Sequence, residues 1–421
     1  MPIIYLTSAD PVNYTGASGD DSITVLSGDH FVYTLAGNDL IDASGAVNVP
    51  TGLRLEGGAG GDTIIGSQGA DTIYGGSSTG GTPAGSVNYL FGGAGGDLIV
   101  GEGADFIYGQ DGNDTLIGGN TASYLNGGAG SDKITGGIGA DTLIGDAGSD
   151  TLVGGGGNDS IDGGSEINLV DYSTEYAASG IKLGVIVNLA AGSARDTYGS
   201  YDTLTNIQNV SDTLKADVIV GSSADNVLES TRGSDYEDGG AGADYISAWN
   251  NADAVTLLGG LGSDTLLGGA GGDVLVGGNW SAADAGVSDY IYAGAGNDQL
   301  FTGSAGNGAL YGNTGNDTLT GSIGVDTLYG GLGSDVLLGG AGKETFYTAA
   351  ADMAAGNVDY AGGFHAGDTF GFSASLSGQI SYFQSGSTAY MYLALSAGGY
   401  WYEGVANTTV AQVQAATSFY G

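Results

Sequence analysis

Between Gly127 and Asp162 the chain repeats itself every nine residues: GGAGSDKIT, GGIGADTLI, GDAGSDTLV and GGGGNDSID follow one another in register. With few exceptions each copy has glycine at positions 1, 2 and 4, aspartate at 6 and an aliphatic residue at 8. No other feature constrains the fold as strongly, because a unit too small to bury its own apolar side chain must bury it against copies of itself. The glycines let the chain turn tightly through positive φ and leave carbonyl oxygens along the inner edge of the turn. The last three residues, such as Thr142-Leu143-Ile144, alternate as a short strand does, with the middle side chain inward. Each unit is half turn and half strand. The spacing predicts an all-β solenoid in which two units, eighteen residues, make one coil.

Stacking such coils puts Asp132 above Asp150 and Asp141 above Asp159, with strands about 4.8 Å apart. Like charges then face each other, and a cation between successive turns makes that favourable. Carboxylate and carbonyl oxygens without Cys or His form a hard donor set, which suits Ca²⁺ at about 2.3–2.6 Å.

These units resemble the GGxGxDxUx nonapeptide of RTX, or hemolysin-type, proteins. The resemblance implies a right-handed parallel β-roll with multiple Ca²⁺ ions held in the turns by the position-6 carboxylates and glycine-turn carbonyls of adjacent coils. The metal ligands so expected are Asp21 and Asp39, then Asp62, Asp71, Asp97, Asp105, Asp114, Asp132, Asp141, Asp150 and Asp159. They continue with Asp217, Asp235, Asp244, Asp264, Asp273, Asp289, Asp298, Asp317, Asp326 and Asp335, and Glu344 stands at the same place in the last unit. Asn88, Ser123, Asn226 and Gly308 replace the carboxylate, so weaker calcium binding is expected there, while Leu90 and Leu125 keep the strand stack going.

The repeat comes and goes along the chain. Residues 1–56 carry degenerate copies and read as an N-terminal cap, 57–164 as a first roll, 165–211 as a non-repeat β spacer and 212–347 as a second roll. In the spacer, Arg195, Asp196 and Tyr198 read as surface loop residues. Insertions at 75–86, 248–254 and 279–286 read as loops, the latter two carrying Trp249 and Trp280. Residues 348–421 have few acidic residues, no Lys or Arg, and many aromatics, among them Phe364, Tyr390 and Trp401, in period-two hairpins. This end resembles the C-terminal β cap of RTX proteins, which carries the type I secretion signal, although SFYG lacks the acidic residue common in such signals.

The 421 residues include 86 Gly, 47 acidic and 7 basic residues, for a formal net charge of −40. About twenty Ca²⁺ ions would bring roughly +40, so the acidity reads as ligand supply. Seven Lys and Arg cannot build the basic patch that nucleic acid or an anionic membrane surface needs, so neither is an expected partner. There is no Cys and no apolar run long enough to span a bilayer. The opening MPIIYLTSADPVNY lacks the basic and apolar regions of a cleaved signal peptide, which leaves the type I machinery as the export route. No HExxH accompanies His30 and His365, and no GxSxG lies in a strand-turn-helix context, so no catalytic residue is assigned and the chain is not expected to be an enzyme.

Ordering nine residues to bury one aliphatic side chain is unfavourable unless the metal contributes, so folding and calcium binding are expected to be coupled. With no effector domain in view, the resemblance extends to RTX-type proteins of bacterial surface layers. The function expected is that of a secreted calcium-binding structural protein, extracellular or on the cell surface, that self-assembles as a homo-oligomeric array. The alternative is a soluble adhesin that holds a cell-surface polysaccharide.

Overall fold

The computed structural model is a parallel β-solenoid. It describes residues 3–10, 12–49, 51–76, 86–177, 183–279, 287–303 and 306–348, and further on the segments 359–362, 368–373, 380–385, 388–394, 400–406 and 417–420. The chain divides into two compact units, Met1–Ser211 and Asp212–Gly421.

In the first unit, strands alternate between two parallel sheets. Tyr124–Ala129, Thr142–Ala147 and Ser160–Asp162 belong to one, and Thr115–Ile117, Lys133–Ile138 and Thr151–Gly156 to the other. The register steps by two repeat units: Leu125 pairs with Leu143 and Leu143 with Ile161, while Leu116 pairs with Ile134 and Ile134 with Leu152. All these side chains are buried, Ile161 at 1% exposure and the rest at 0%, so position 8 forms two stacked columns that are the core. Burying each such side chain contributes about 1.5–3 kcal/mol, and the coil interior is narrow enough to hold little else. Residues 4–56 are coils of the same roll, with Ile4 paired to Ile23, Ser22 to Leu40 and Leu40 to Thr63. On the outer face, Tyr89 stacks on Phe106 and Phe91 on Tyr108, each with ring centroids 5.1 Å apart.

The non-repeat stretch is an insertion within this stack. Leu169–Asp171 still pairs with Thr151–Gly156, after which the chain makes a 3-10 turn at Ser173–Ala177 and an antiparallel pair, Ile186–Asn188 with Ser193–Arg195. The parallel register then resumes, Ser160 against Thr203 and Leu169 against Asn209. Asp196 is not the surface loop residue that its setting suggests. It is fully buried, and its Oδ1 accepts from the backbone N–H groups of Tyr198 and Ser200 at 2.9 and 2.7 Å, so it holds its own turn together. Tyr198 is 43% exposed, and Arg195 donates to the carbonyl of Gly184 at 3.3 Å.

The second unit repeats the plan, with columns Leu257, Leu275, Leu300, Leu319, Leu337 and Leu228, Ile246, Leu266, Ile291, Leu310, Leu328, Phe346. Toward its end, Asp359–Gly362 and Thr369–Ser373 extend the two sheets in parallel. Ile380–Ser385, Thr388–Ala394 and Tyr400–Ala406 add antiparallel hairpins to that edge. Trp249 is exposed at 64%, whereas Trp280, Phe364 and the side chains of Tyr390 and Trp401 lie outside the described residues. Among the described residues no helix is long and apolar enough to cross a membrane.

Candidate calcium-binding turns

Position 6 is the last residue of each turn, just before the inward strand, and the roll holds it in place through both its backbone and its side chain. The carbonyl of Asp114 accepts from Lys133 N–H and that of Asp132 from Thr151 N–H, each at 2.8 Å. In addition, Oδ1 accepts from the N–H of the position-6 residue one coil earlier. Asp114 N–H donates to Asp132, Asp132 to Asp150 and Asp141 to Asp159, each at 2.8 Å. In the second unit Asp244 donates to Asp264 and Asp317 to Asp335 at 2.8 Å, and Asp298 to Asp317 at 2.9 Å. Two carboxylate ladders thus run along each roll, one beside each sheet, built from charge-assisted hydrogen bonds.

The second oxygen is left over. Oδ2 of Asp62, Asp97, Asp114, Asp132, Asp141, Asp150, Asp159, Asp244, Asp298 and Asp335 is buried without a hydrogen-bond partner. Apart from Asp298, whose turn has Ala293 at position 1, each of these carboxylates faces the Cα of the position-1 glycine of its own turn, and at Asp62, Asp97, Asp114, Asp141, Asp150 and Asp244 that glycine also lies beside a carbonyl of the next coil. A Cβ on Gly109 would lie 2.2 Å from Asp114 Oδ2 and 2.5 Å from the carbonyl oxygen of Gly127; on Gly145, 2.2 Å from Asp150 Oδ2 and 2.5 Å from that of Gly163. Glycine leaves this space open at all of these turns but that of Asp298, and its nearest neighbours there are the carboxylate and, at several turns, a carbonyl oxygen of the next coil. Burial pushes the carboxyl groups up, to about 7 at Asp62, Asp97 and Asp132 and to about 6 at Asp141, Asp159, Asp244, Asp298 and Asp335. A cation in the cradle reverses that penalty by giving the charged form a partner.

A cradle of orphaned carboxylate oxygen and glycine-turn carbonyls fits Ca²⁺ in donor type and charge. The profile of the RTX calcium-binding nonapeptide repeat matches residues 15–48, 54–79, 85–170, 212–246, 256–279 and 288–345, in overlapping copies. The chain belongs to the RTX calcium-binding repeat family. Its repeats are calcium-binding, and the ions would be held by the position-6 carboxylates with the carbonyls of the neighbouring coil. No curated protein matches the chain. Among solved structures, the extracellular lipase LipA from Serratia marcescens is similar at 18% identity over 77% of this chain, with a TM-score of 0.23. The chain spans 45% of that lipase.

Of the aspartates expected from the RTX pattern, all are buried except Asp21, which is half-buried. They fall into two classes set by the backbone of position 2. Where that residue is left-handed, as at Gly128 (φ 106°), Gly137 (φ 121°), Asp146 (φ 70°) and Gly331 (φ 109°), Oδ2 of the following aspartate is open. At Asp21, Asp71, Asp273 and Asp326 position 2 is not left-handed. Its N–H, from Ala17, Ser67, Gly269 or Ser322, donates to Oδ2 at 2.7, 2.5, 2.9 and 2.8 Å and closes the cradle. In the unit one residue short, Glu102 and Gly103 N–H close on Asp105 at 2.9 and 3.1 Å. Asp217 is closed by both the N–H, at 3.1 Å, and the hydroxyl of Thr213, and Asp235 by the side chains of Ser230 and Asn251. Asp39 is open, beside the left-handed Leu35 (φ 72°), and Asp264, Asp289, Asp298 and Asp317 continue the ladders.

The substituted positions stay in the ladders. Asn88 Oδ1 accepts from Asp62 N–H at 2.8 Å, and Ser123 Oγ from Asp105 N–H at 3.4 Å. Gly308 offers no acceptor, and Thr302 occupies the space beside it. Several ladder residues were not evident from the repeat: Asn168 accepts from Asp150, Gln208 from Asn168, Asp202 from Asp159, Asp359 from Asp335 and Asp368 from Glu344, at 2.8 to 3.0 Å. The signal that could have found three of them is an Asp two residues before an apolar residue, as in Asp202-Thr203-Leu204, Asp359-Tyr360-Ala361 and Asp368-Thr369-Phe370.

Proposed function

We propose that this RTX protein is a secreted structural protein that is exported by a type I machinery, folds on calcium outside the bacterial cell and self-assembles there as a surface layer or extracellular array. The observation that carries the assembly is the surface of the first coils. Ile3, Tyr5, Val12, Leu26, Phe31, Leu35, Leu40 and Val47 are each between 39% and 58% exposed, a concentration of large apolar side chains that marks an interaction surface. The same coils hold the first strands of the two sheets: among the described residues Ile4–Leu6 pairs only with Ser22–Val25, and Asn13–Thr15 only with Phe31–Tyr33. A roll of this kind is a scaffold in general, which agrees with a non-enzymatic role.

Negative-stain microscopy and light scattering of the purified protein, with calcium and with chelator, test the reading. Sheets or fibres that need calcium, and that Phe31→Lys with Leu40→Lys abolishes, support it; dispersed particles at every calcium concentration sink it. A second reading, glycan binding, is favoured by one place. Trp249 stands at a groove of about 450 Å³ with Tyr292, Asn313 and three small residues, where a sugar ring could stack. Retardation on glycan gels that Trp249→Ala removes would favour that reading over assembly.

A further inference from the structure

Two successive units on one side of the second unit, DTLKADVIV from Asp212 and STRGSDYED from Ser230, break the repeat in several places, of which three matter here. Position 1 is Asp212 and then Ser230 where the pattern has glycine, and position 8 is Glu237 where it has an aliphatic residue. The structure brings these departures together. Glu237 lies in the strand Tyr236–Ala241 with Ile219 paired to it on one side and Leu257 on the other, so a carboxylate occupies a place in a core column. It is fully buried, and neither of its oxygens has a hydrogen-bond partner. Asp212 is fully buried too. Its Oδ1 accepts from the N–H and the hydroxyl of Thr231 at 2.9 Å each, and its Oδ2 has no partner.

Carboxylate oxygens of Asp212, Asp217 and Asp235 lie within 4.8 Å of one another. Glu237 follows Asp235 by two residues, so the two side chains leave the chain on the same side, and both are buried. The ordinary cradles of this turn are closed, by the Thr213 hydroxyl on Asp217 at 2.8 Å and by the Ser230 hydroxyl on Asp235 at 2.6 Å. Lys215 and Arg232, the basic residues of the same two turns, have exposed side chains. A buried carboxylate with no partner is among the costliest groups a core can hold, and the three carboxylates gathered nearby compound the cost.

We propose that Asp212 and Glu237, with Asp217 and Asp235, form a binding site for a hard divalent cation of calcium's size that is reached from the core column and is separate from the turn cradles of the repeat. The donor set is oxygen alone and carries up to four negative charges, which selects calcium over zinc or copper, whose sites use nitrogen or sulfur. Thr213, Thr231, Ser230 and Asn251 orient three of the four carboxylates, as outer hydrogen-bond donors do around metal ligands.

The test uses the full chain. Native mass spectrometry in calcium counts the ions bound to the wild type and to Glu237→Leu, which restores the residue type of the repeat, and Glu237→Gln, which keeps the shape without the charge. Both variants should hold one ion fewer than the wild type. A wild-type count in both overturns the site and leaves the cluster holding protons instead. Should either variant fail to fold, crystals of the wild type grown with a lanthanide decide. An anomalous peak within ligand distance of Glu237 and Asp212 is the expected result, and peaks at the turn cradles with none here would refute the proposal.

Discussion

Replacing Gly127 by alanine should remove a calcium ion without removing any of its ligands. Gly127 is not left-handed, so its backbone accepts alanine, but the new methyl would lie 2.2 Å from Asp132 Oδ2, 2.8 Å from its Cγ and 3.0 Å from its Cβ. Ordinary contact needs about 3.4 Å, so the carboxylate must retreat by about 1.2 Å, several times the roughly 0.2 Å within which a metal–ligand distance can vary. Calcium-free, Asp132 can swing aside. Calcium-bound, it cannot stay a ligand. At free calcium of about 10 to 100 times the dissociation constant of the site, losing one ion removes about 1.4–2.7 kcal/mol of stability. Urea melts followed by circular dichroism at fixed calcium read that loss, and native mass spectrometry reads the missing ion. Gly128→Ala is the control. There φ is 106° and the methyl would meet the Gln110 carbonyl oxygen at 2.2 Å, a backbone group that cannot yield, so it should weaken the roll whatever the calcium. Should Gly127→Ala bind as many ions as the wild type and melt with it, the cradle is not where calcium sits.

Chelation should cost the protein its strand signal in circular dichroism, reversibly on adding calcium back, and a full strand signal in chelator would contradict the coupling of metal to fold. Acid should partly replace the metal. The carboxyls of Asp62, Asp97 and Asp132 titrate near 7 in the calcium-free roll against 3.8 for the ordinary group, so the folded form holds their protons between those values and the unfolded form does not. Their contribution therefore favours the calcium-free fold fully below about pH 4 and is lost as pH rises through 7, and chelated protein should gain strand signal on acidification. An equally unfolded chain across that range would refute this. Leu143→Ala, at a fully buried link of the core column, should cost about 2–5 kcal/mol in urea melts with calcium present.

The turn-and-strand unit, the eighteen-residue step and nearly all ladder aspartates could be read from the spacing, because burial at position 8 and the carboxylate at 6 repeat together. What the spacing hid follows from the third dimension. Asp202 joins the ladder 43 residues after Asp159, since the register after an insertion is set by which carboxylate reaches the open N–H. Asp196 looks like any polar loop residue until the N–H groups of Tyr198 and Ser200 close on it. Glu237 reads in the sequence as one more strand residue, and nothing in the nine-residue spacing shows that it is buried near the Asp212, Asp217 and Asp235 carboxylates. The open and closed cradles were missed for a subtler reason: Gly269 has the sequence of an open turn and the conformation of a closed one, whereas Asp146 and Leu35 adopt the left-handed form without being glycine.

The carboxylate ladders also make each roll a directional object. Every position-6 rung runs one way, an N–H of one coil to the side-chain oxygen of the next, so through these ladders a coil offers acceptors on one side and donors on the other. An exposed end of one sense can therefore be continued only by an end of the opposite sense. Two like ends would bring acceptor to acceptor or donor to donor. Any end-to-end joining of such rolls through their ladders is head to tail, the kind of contact that repeats without closing.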